Sequence, residues 1–163
     1  MGHSSATCRH AGIGNVTAAY KAAGLWDNTV LILVSDNGGP LDHTTNAPLR
    51  GGKHTFWEGG VRVVAFVSGP LIPVARRGTE YLGMLHSSDW YPTVVEGIAG
   101  GKVPAYSGPT PVDGFDVWAA ILGNATSPRT EVIHQVKSEC QVPIRVEVQP
   151  AQSARQPAQS ARA

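Results

Sequence analysis

Charged residues are scarce in this sequence, and neither sign is in excess. Only 15% of the 163 residues are charged, and the formal net charge is +1. A surface that holds nucleic acid or an anionic membrane by electrostatics carries a marked positive excess, so this charge balance argues against both classes of partner. The sequence also lacks the low hydrophobicity of a disordered chain, because 42% of its residues are hydrophobic.

Long apolar runs and cysteines are scarce as well. Apolar runs such as residues 30–34 fall far short of the ~20 residues that a membrane span requires. The first ten residues lack the apolar segment of a signal peptide. Cys8 and Cys140 are the two cysteines, which excludes a multi-bridge framework and a four-thiolate zinc site. Their spacing does not decide whether they pair.

The order of the elements predicted from the sequence is helix, strand, loop, strand, helix. Residues 15–23 are predicted to end a helix that stops at Gly24. Residues 29–34 form a short β-branched run that suits a parallel strand buried on both faces. Residues 61–67 are predicted to form the second strand. This order favours an α/β layer architecture.

Two more helices are predicted in the second half of the sequence. One begins with Ser88 or Asp89 as its cap and stops at the glycine pair that starts with Gly100. The other is a short amphipathic helix over residues 116–122, which ends at Gly123.

Asp36 and Asn37 stand at the carboxyl end of the first predicted strand. Ligands bind outside the carboxyl ends of parallel strands, and carboxylate and amide oxygens are the ligands that Ca²⁺ and Mg²⁺ prefer. The glycine pair that follows allows a sharp turn beside such a site. The alternative is an ordinary turn made of an Asp or Asn and a glycine.

Lys53 follows Asp36 by seventeen residues in a glycine-rich loop. A lysine beside a metal can hold an anionic phosphate or sulfate oxygen as a point charge, whereas an isolated loop lysine is more often simply solvated. Glu58 and Arg62 stand four residues apart, at a spacing that allows a pair bracing the same loop. Asn15 and Asn124 are in glycosylation sequons. The six histidines show no metal-ligand spacing.

The C-terminal end has a different composition. The heptapeptide of residues 149–155 is repeated at residues 156–162 without an apolar seam. Residues 135–163 are therefore interpreted as a divergent, low-complexity tail that is predicted to be disordered, residues 149–163 in particular.

Several segments of the sequence resemble the sulfatases, and within them arylsulfatase B and its relatives. They occur in the family's order with similar gaps, at residues 14–19, 24–30, 35–39, 48–53, 57–62, 88–93, 113–118 and 127–131. The resemblance covers residues 12–134 and leaves residues 1–11 unassigned.

The resemblance implies a partial alkaline-phosphatase-like α/β fold, with a mixed, mostly parallel sheet flanked by helices. It also implies a calcium-dependent hydrolase of sulfate esters, acting on a sulfated small molecule or glycan in a lysosomal or secreted setting. In that family a cysteine oxidised to formylglycine attacks sulfur. Asp36 and Asn37 match calcium ligands, and Lys53 matches the lysine that binds the sulfate.

The sequence departs from the family at its nucleophile and at several other catalytic residues. The family cysteine stands in Cys-x-Pro-Ser-Arg, and neither Cys8 nor Cys140 does. The paired aspartates, an earlier lysine and the leaving-group histidine have no counterparts either. The sequence is therefore expected to represent part of a catalytic domain and to be inactive alone. The alternatives are a non-catalytic fragment or pseudoenzyme, and a phosphatase or phosphodiesterase relative.

Overall fold

The computed structural model describes residues 3–104, 111–134 and 145–147. The chain divides into two compact units, Met1–Gly78 and Thr79–Ala163. Among the described residues, no helix combines the length and the apolar character that crossing a membrane requires. Cys140 lies outside the described residues, as does the repeat of residues 149–163, so the predicted disorder of that repeat remains a prediction.

The described residues of the first unit form two helices, two strands and two 3₁₀ turns. They are α1 (His3–Ala22), a 3₁₀ turn (Trp26–Asn28), β1 (Leu31–Val34), α2 (Glu58–Val61), β2 (Ala65–Ser68) and a second 3₁₀ turn (Val74–Arg76). α1 extends over most of the segment left unassigned from the sequence. It ends as predicted at Gly24, which has a left-handed φ of 70°. The Leu25 amide donates to the Tyr20 carbonyl (3.0 Å), and the Gly24 amide donates to the Lys21 carbonyl (3.1 Å). These bonds give hydrogen-bond donors to two carbonyl groups of the last helical turn.

The two strands of the first unit pair antiparallel, with Leu31 opposite Ser68 and Val34 opposite Ala65. The mostly parallel sheet expected from the resemblance is thus not found among the described residues. Parallel neighbours are usually joined by a long crossover helix, and the segment between β1 and β2 contains only the one-turn α2. The second strand also begins later than predicted, because residues 58–61 form α2. β1 is only half-buried, and Val34 is exposed.

In the part of the second unit that the structure describes, the chain forms a helical segment with changing pitch, a short helix and two strands. In order they are a 3₁₀ turn (Ser87–Asp89), α3 (Trp90–Pro92), a wider π turn (Thr93–Ile98), α4 (Trp118–Ile121), β3 (Glu131–Ile133) and β4 (Arg145–Glu147). Both predicted helices are therefore present.

The cap of the first of these helices differs from the prediction. His86 is the N-cap: its Nδ1 accepts a bond from the Ser88 amide (3.4 Å), while the Asp89 carboxylate accepts one from the His86 amide (2.8 Å). This reciprocal arrangement satisfies two free backbone donors at the helix start.

β3 and β4 pair antiparallel, with Glu131 opposite Glu147. Within the tail of residues 135–163, for which disorder is predicted, the structure describes residues 145–147, and these form β4. These three residues belong to an Ile-Arg-Val-Glu-Val run, whose alternation of apolar and charged residues is typical of a strand.

The buried residues differ in kind between the two units. In the second unit the buried side chains include Val117, Ala120 and Val132, together with the polar Asp89 and Thr93. Among the described residues of the first unit, Ile72 is the one buried hydrophobic side chain. The other buried positions there are Gly38, Gly52, Gly59 and Gly60. Close packing in the first unit is thus mainly an approach of glycine backbones.

Candidate functional site

Asp36 and Asn37 form a self-bonded turn that begins two residues after β1. The Asp36 Oδ1 atom accepts bonds from the backbone amide of Asn37 (3.0 Å) and from its Nδ2 atom (3.2 Å). The Ser35 hydroxyl donates to the Asn37 carbonyl (2.9 Å). Because these bonds end on one carboxylate oxygen and engage the amide nitrogen of Asn37, they leave the Asp36 Oδ2 and Asn37 Oδ1 atoms as oxygen ligands.

Lys53 lies in a loop that is bonded directly to this turn. Its backbone amide donates to the Gly39 carbonyl (3.2 Å), and its side chain is exposed. The next residue, His54, has a left-handed φ of 71°, which is uncommon for a residue other than glycine. The structure thus joins the segments that carry the three predicted site residues through a backbone hydrogen bond.

Glycine pairs explain how these segments approach so closely. The Gly38 amide donates to the Gly60 carbonyl (2.9 Å), and the Gly59 amide donates to the Arg50 carbonyl (2.7 Å). A Cβ atom on Gly38 would overlap the Gly59 carbonyl, and one on Gly59 would overlap the Gly51 carbonyl. Residues 36–39, 50–53 and 58–60 therefore pack backbone against backbone, and we call this arrangement the glycine stack.

Asn46 links two segments of the glycine stack with its side chain, and the sequence reasoning did not identify it. Its Oδ1 atom accepts a bond from the Gly39 amide (2.8 Å). Its Nδ2 atom donates to the Gly39 carbonyl (2.9 Å) and to the Gly51 carbonyl (3.1 Å). No spacing or motif in the sequence distinguishes this asparagine from other loop asparagines.

Side chains on the rim of the glycine stack form two further contacts. The Arg50 guanidinium lies 3.8 Å from the centre of the Trp57 ring. The predicted pair of Glu58 and Arg62 is present, with 3.1 Å between the Oε2 and Nη1 atoms. Both members of that pair are largely exposed, so it contributes little to stability.

The donor atoms of the Asp36–Asn37 turn suit calcium in kind. Calcium takes about 6–8 oxygen ligands, including carboxylate and amide oxygens. Within the described part of the chain, no three His, Cys, Asp or Glu residues form a group that could hold a metal. Asp36 and Asn37 therefore fit a calcium ion as part of a ligand set rather than as a complete one.

A second polar cluster, in the other unit, centres on Asp89, whose side chain is fully buried. Its Oδ2 atom accepts bonds from the His86 amide (2.8 Å) and from the Arg129 Nε atom (2.7 Å). Its Oδ1 atom accepts bonds from the Phe115 amide (2.9 Å) and from the Arg129 Nη2 atom (2.6 Å). Each carboxylate oxygen thus accepts two hydrogen bonds. We call Asp89, Arg129 and the two bonded amides the carboxylate clamp.

The electrostatics of the carboxylate clamp follow from this bonding. Burial by itself would raise the pKa of Asp89, but the hydrogen bonds from Arg129, His86 and Phe115 outweigh it and lower that pKa below its ordinary value. The hydrogen bond to Asp89 in turn raises the pKa of Arg129. The clamp joins three of the segments that carry the sulfatase resemblance, and its saturated carboxylate indicates that Asp89 has a structural role.

The two sequon asparagines occupy different local structures. Asn15 lies within α1, whereas Asn124 follows α4, and both are exposed. The Asn124 amide donates to the Ala119 carbonyl (2.9 Å), and Gly123 before it has a left-handed φ of 80°.

Comparison with known proteins identifies the family. The sulfatase family model matches residues 5–99. Mouse arylsulfatase J is 40% identical over 131 residues, which cover 80% of this chain and 21% of that protein. Rat steryl-sulfatase is 31% identical over 130 residues, covering 74% of this chain and 22% of that protein. Human arylsulfatase A is 33% identical over 129 residues, covering 73% and 23%.

The chain thus spans about a fifth of the length of these curated relatives. They support the resemblance to sulfatases that the segment order indicates, without confirming the narrower resemblance to arylsulfatase B. With the family model covering more than half of its residues, the chain belongs to the sulfatase family.

Proposed function

We propose that this chain is the part of a sulfuric ester hydrolase that supplies two calcium ligands and a sulfate-binding lysine. The observation that carries the proposal is the backbone bond from Lys53 to Gly39, which ties the lysine loop to the Asp36–Asn37 turn in a member of the sulfatase family. The substrate class would be a sulfated small molecule or glycan, in a lysosomal or secreted setting. Glycans on Asn15 and Asn124 are part of the same proposal.

The roles of the three residues follow from their chemistry. Asp36 and Asn37 offer oxygens that would hold calcium, and calcium, when bound, supplies positive charge to a sulfate oxygen. The exposed ammonium of Lys53 would neutralise a second sulfate oxygen as a point charge. In the proposed full-length protein these segments belong to a mostly parallel α/β sheet, with residues 12–134 as their share of the catalytic domain.

The chain alone is expected to be inactive. The family reaction needs a formylglycine nucleophile, and neither cysteine stands in Cys-x-Pro-Ser-Arg. A lysine that binds sulfate equally in the ground and transition states lowers no barrier. An assay of the full chain with calcium and a chromogenic aryl sulfate should therefore show no turnover above Lys53→Ala and Asp36→Ala controls. Turnover that the unaltered chain shows and the two variants lack would refute this expectation.

Sulfate binding tests the proposed site without requiring turnover. Sodium sulfate would be titrated into the ¹⁵N-labelled chain with calcium present, at constant ionic strength. We expect the amide signals of Gly39 and Lys53 to shift, and the shifts to disappear in Lys53→Gln. The matched control is Lys102→Gln, which removes an exposed lysine from the other unit. Equal shifts in Lys53→Gln, or none in the unaltered chain, would refute the proposed site.

The second candidate is a non-catalytic, sulfatase-derived protein, favoured by the absence of a Cys-x-Pro-Ser-Arg segment from this sequence. Sequencing the full-length transcript separates the two candidates. An in-frame Cys-x-Pro-Ser-Arg upstream of residue 1 supports the enzyme. Translation confirmed to start at Met1 supports the non-catalytic protein.

A further inference from the structure

We propose that Asn46 is a positioning residue. Its side-chain amide sets the spacing between the turn of residues 36–39 and the loop of residues 50–53, and so places Lys53 where it can bind its anion. The role in anion binding rests on the function proposed above. The coupling of the two segments is a separate claim that has its own measurement.

The bonds of Asn46 reach both segments from one rigid group. Its amide donates to and accepts from Gly39, as a neighbouring strand would, and it also donates to the Gly51 carbonyl. A side-chain amide is planar, so its oxygen and nitrogen cannot move independently. Because Gly39 belongs to the turn and Gly51 to the loop, the geometry of one amide fixes the distance between them.

The Gly39 carbonyl connects this amide to Lys53. The carbonyl accepts one bond from the Asn46 Nδ2 atom (2.9 Å) and another from the Lys53 backbone amide (3.2 Å). A carbonyl oxygen has two lone pairs, and both are engaged here. If the Asn46 donor is lost, the carbonyl is free to turn, and the position of the Lys53 backbone changes with it.

Gly52 packs closely against the bond between Asn46 and Gly39. A Cβ atom on Gly52 would lie 2.5 Å from the Gly39 carbonyl oxygen and 2.8 Å from the Asn46 Nδ2 atom. Glutamine has the same functional group, but its extra methylene would move that group away from the positions at which it now bonds Gly39 and Gly51. Aspartate has nearly the same shape as asparagine, but it lacks both donated bonds and turns a negative oxygen toward two carbonyl oxygens.

The test compares Asn46→Asp with the unaltered full chain and with Asn124→Asp. The control makes the same chemical change at an exposed asparagine in the other unit. We expect amide hydrogen exchange at Lys53 to accelerate in Asn46→Asp and not in the control. We also expect sulfate to bind roughly tenfold more weakly, the factor that corresponds to the loss of about one net hydrogen bond. Asn46→Ser, which carries no charge, provides the same readings if the Asn46→Asp variant loses its dispersed NMR spectrum.

The outcomes separate this inference from the proposed function. Unchanged exchange at Lys53 in Asn46→Asp overturns the coupling, whether or not sulfate binds. Sulfate binding through Lys53 that keeps its full affinity in both Asn46 variants overturns the positioning role. If the unaltered chain does not bind sulfate, the proposed function fails, and the exchange rates alone decide whether Asn46 couples the two segments.

Discussion

Replacing Asp89 by asparagine tests whether the carboxylate clamp holds the second unit together. The Asp89 side chain is fully buried, and its partner Arg129 is only 12% exposed. Four donors converge on its two oxygens: two from the Arg129 guanidinium and the backbone amides of His86 and Phe115. Asparagine offers a single acceptor oxygen, and its NH₂ group would face donors where the second oxygen now accepts bonds.

The expected loss of stability is large. Removing one partner of a buried ion pair costs about 3–5 kcal/mol, because the remaining charge is left buried without compensation. Domains typically have only about 5–15 kcal/mol of unfolding free energy in total. The Asp89→Asn variant should therefore lose a substantial fraction of the stability of the second unit.

The assay is urea unfolding of the full chain, followed through the NMR amide signals of Phe115 and Val117, which report on the second unit. The matched control is Glu58→Gln, which makes the same change from carboxylate to amide in the exposed pair with Arg62 and should cost about 0–1 kcal/mol. The clamp argument is wrong if Asp89→Asn costs no more than this control.

Further predictions concern backbone packing and pH. Gly59→Ala should cost about 1–3 kcal/mol of unfolding free energy, because the new Cβ atom overlaps the Gly51 carbonyl. Gly12→Ala, which meets open space within α1, should leave urea unfolding unchanged or stabilise the chain by up to about 1 kcal/mol. Burial and the nearby His86 lower the pKa of His134. The stability that neutral His134 contributes is therefore present above the ordinary pKa of about 6.5, and it is lost as pH falls through the lower pKa of the folded state. In His134→Gln the free energy of unfolding should fall less steeply between pH 7.5 and pH 5 than in the unaltered chain. An unchanged dependence of that free energy on pH would contradict the assignment.

Local features of the fold were predictable because single residues determine them. Gly24, Gly100 and Gly123 were predicted to end helices, and all three have left-handed φ angles that other residues adopt only at a cost. The Asp36–Asn37 turn after the first strand was equally local. In each case the sequence within a few residues was sufficient.

Pairing and side-chain bridging were not predictable in the same way. A short apolar run suits a parallel or an antiparallel strand equally, so the register of β1 with β2 depends on the thirty residues between them. The late start of β2 arises because Gly59 and Gly60 are held in the glycine stack, which keeps Val61 helical. The bonds of Asn46 depend on where the chain brings Gly39 and Gly51, which no local pattern specifies.

Asp36 and Asp89 show how hydrogen bonding distinguishes two aspartates that both lie in segments resembling the sulfatases. Both aspartates stand in segments that match the sulfatases; the resemblance implies a calcium ligand at Asp36, whereas Asp89 is predicted from the sequence only as a helix cap. Asp89 is buried, and both of its oxygens are saturated by four donors, so it has no capacity left for a ligand. Asp36 is exposed and accepts its two hydrogen bonds on one oxygen, which leaves the other for a cation. Hydrogen-bond saturation therefore separates the aspartate that stabilises this fold from the one proposed to bind calcium.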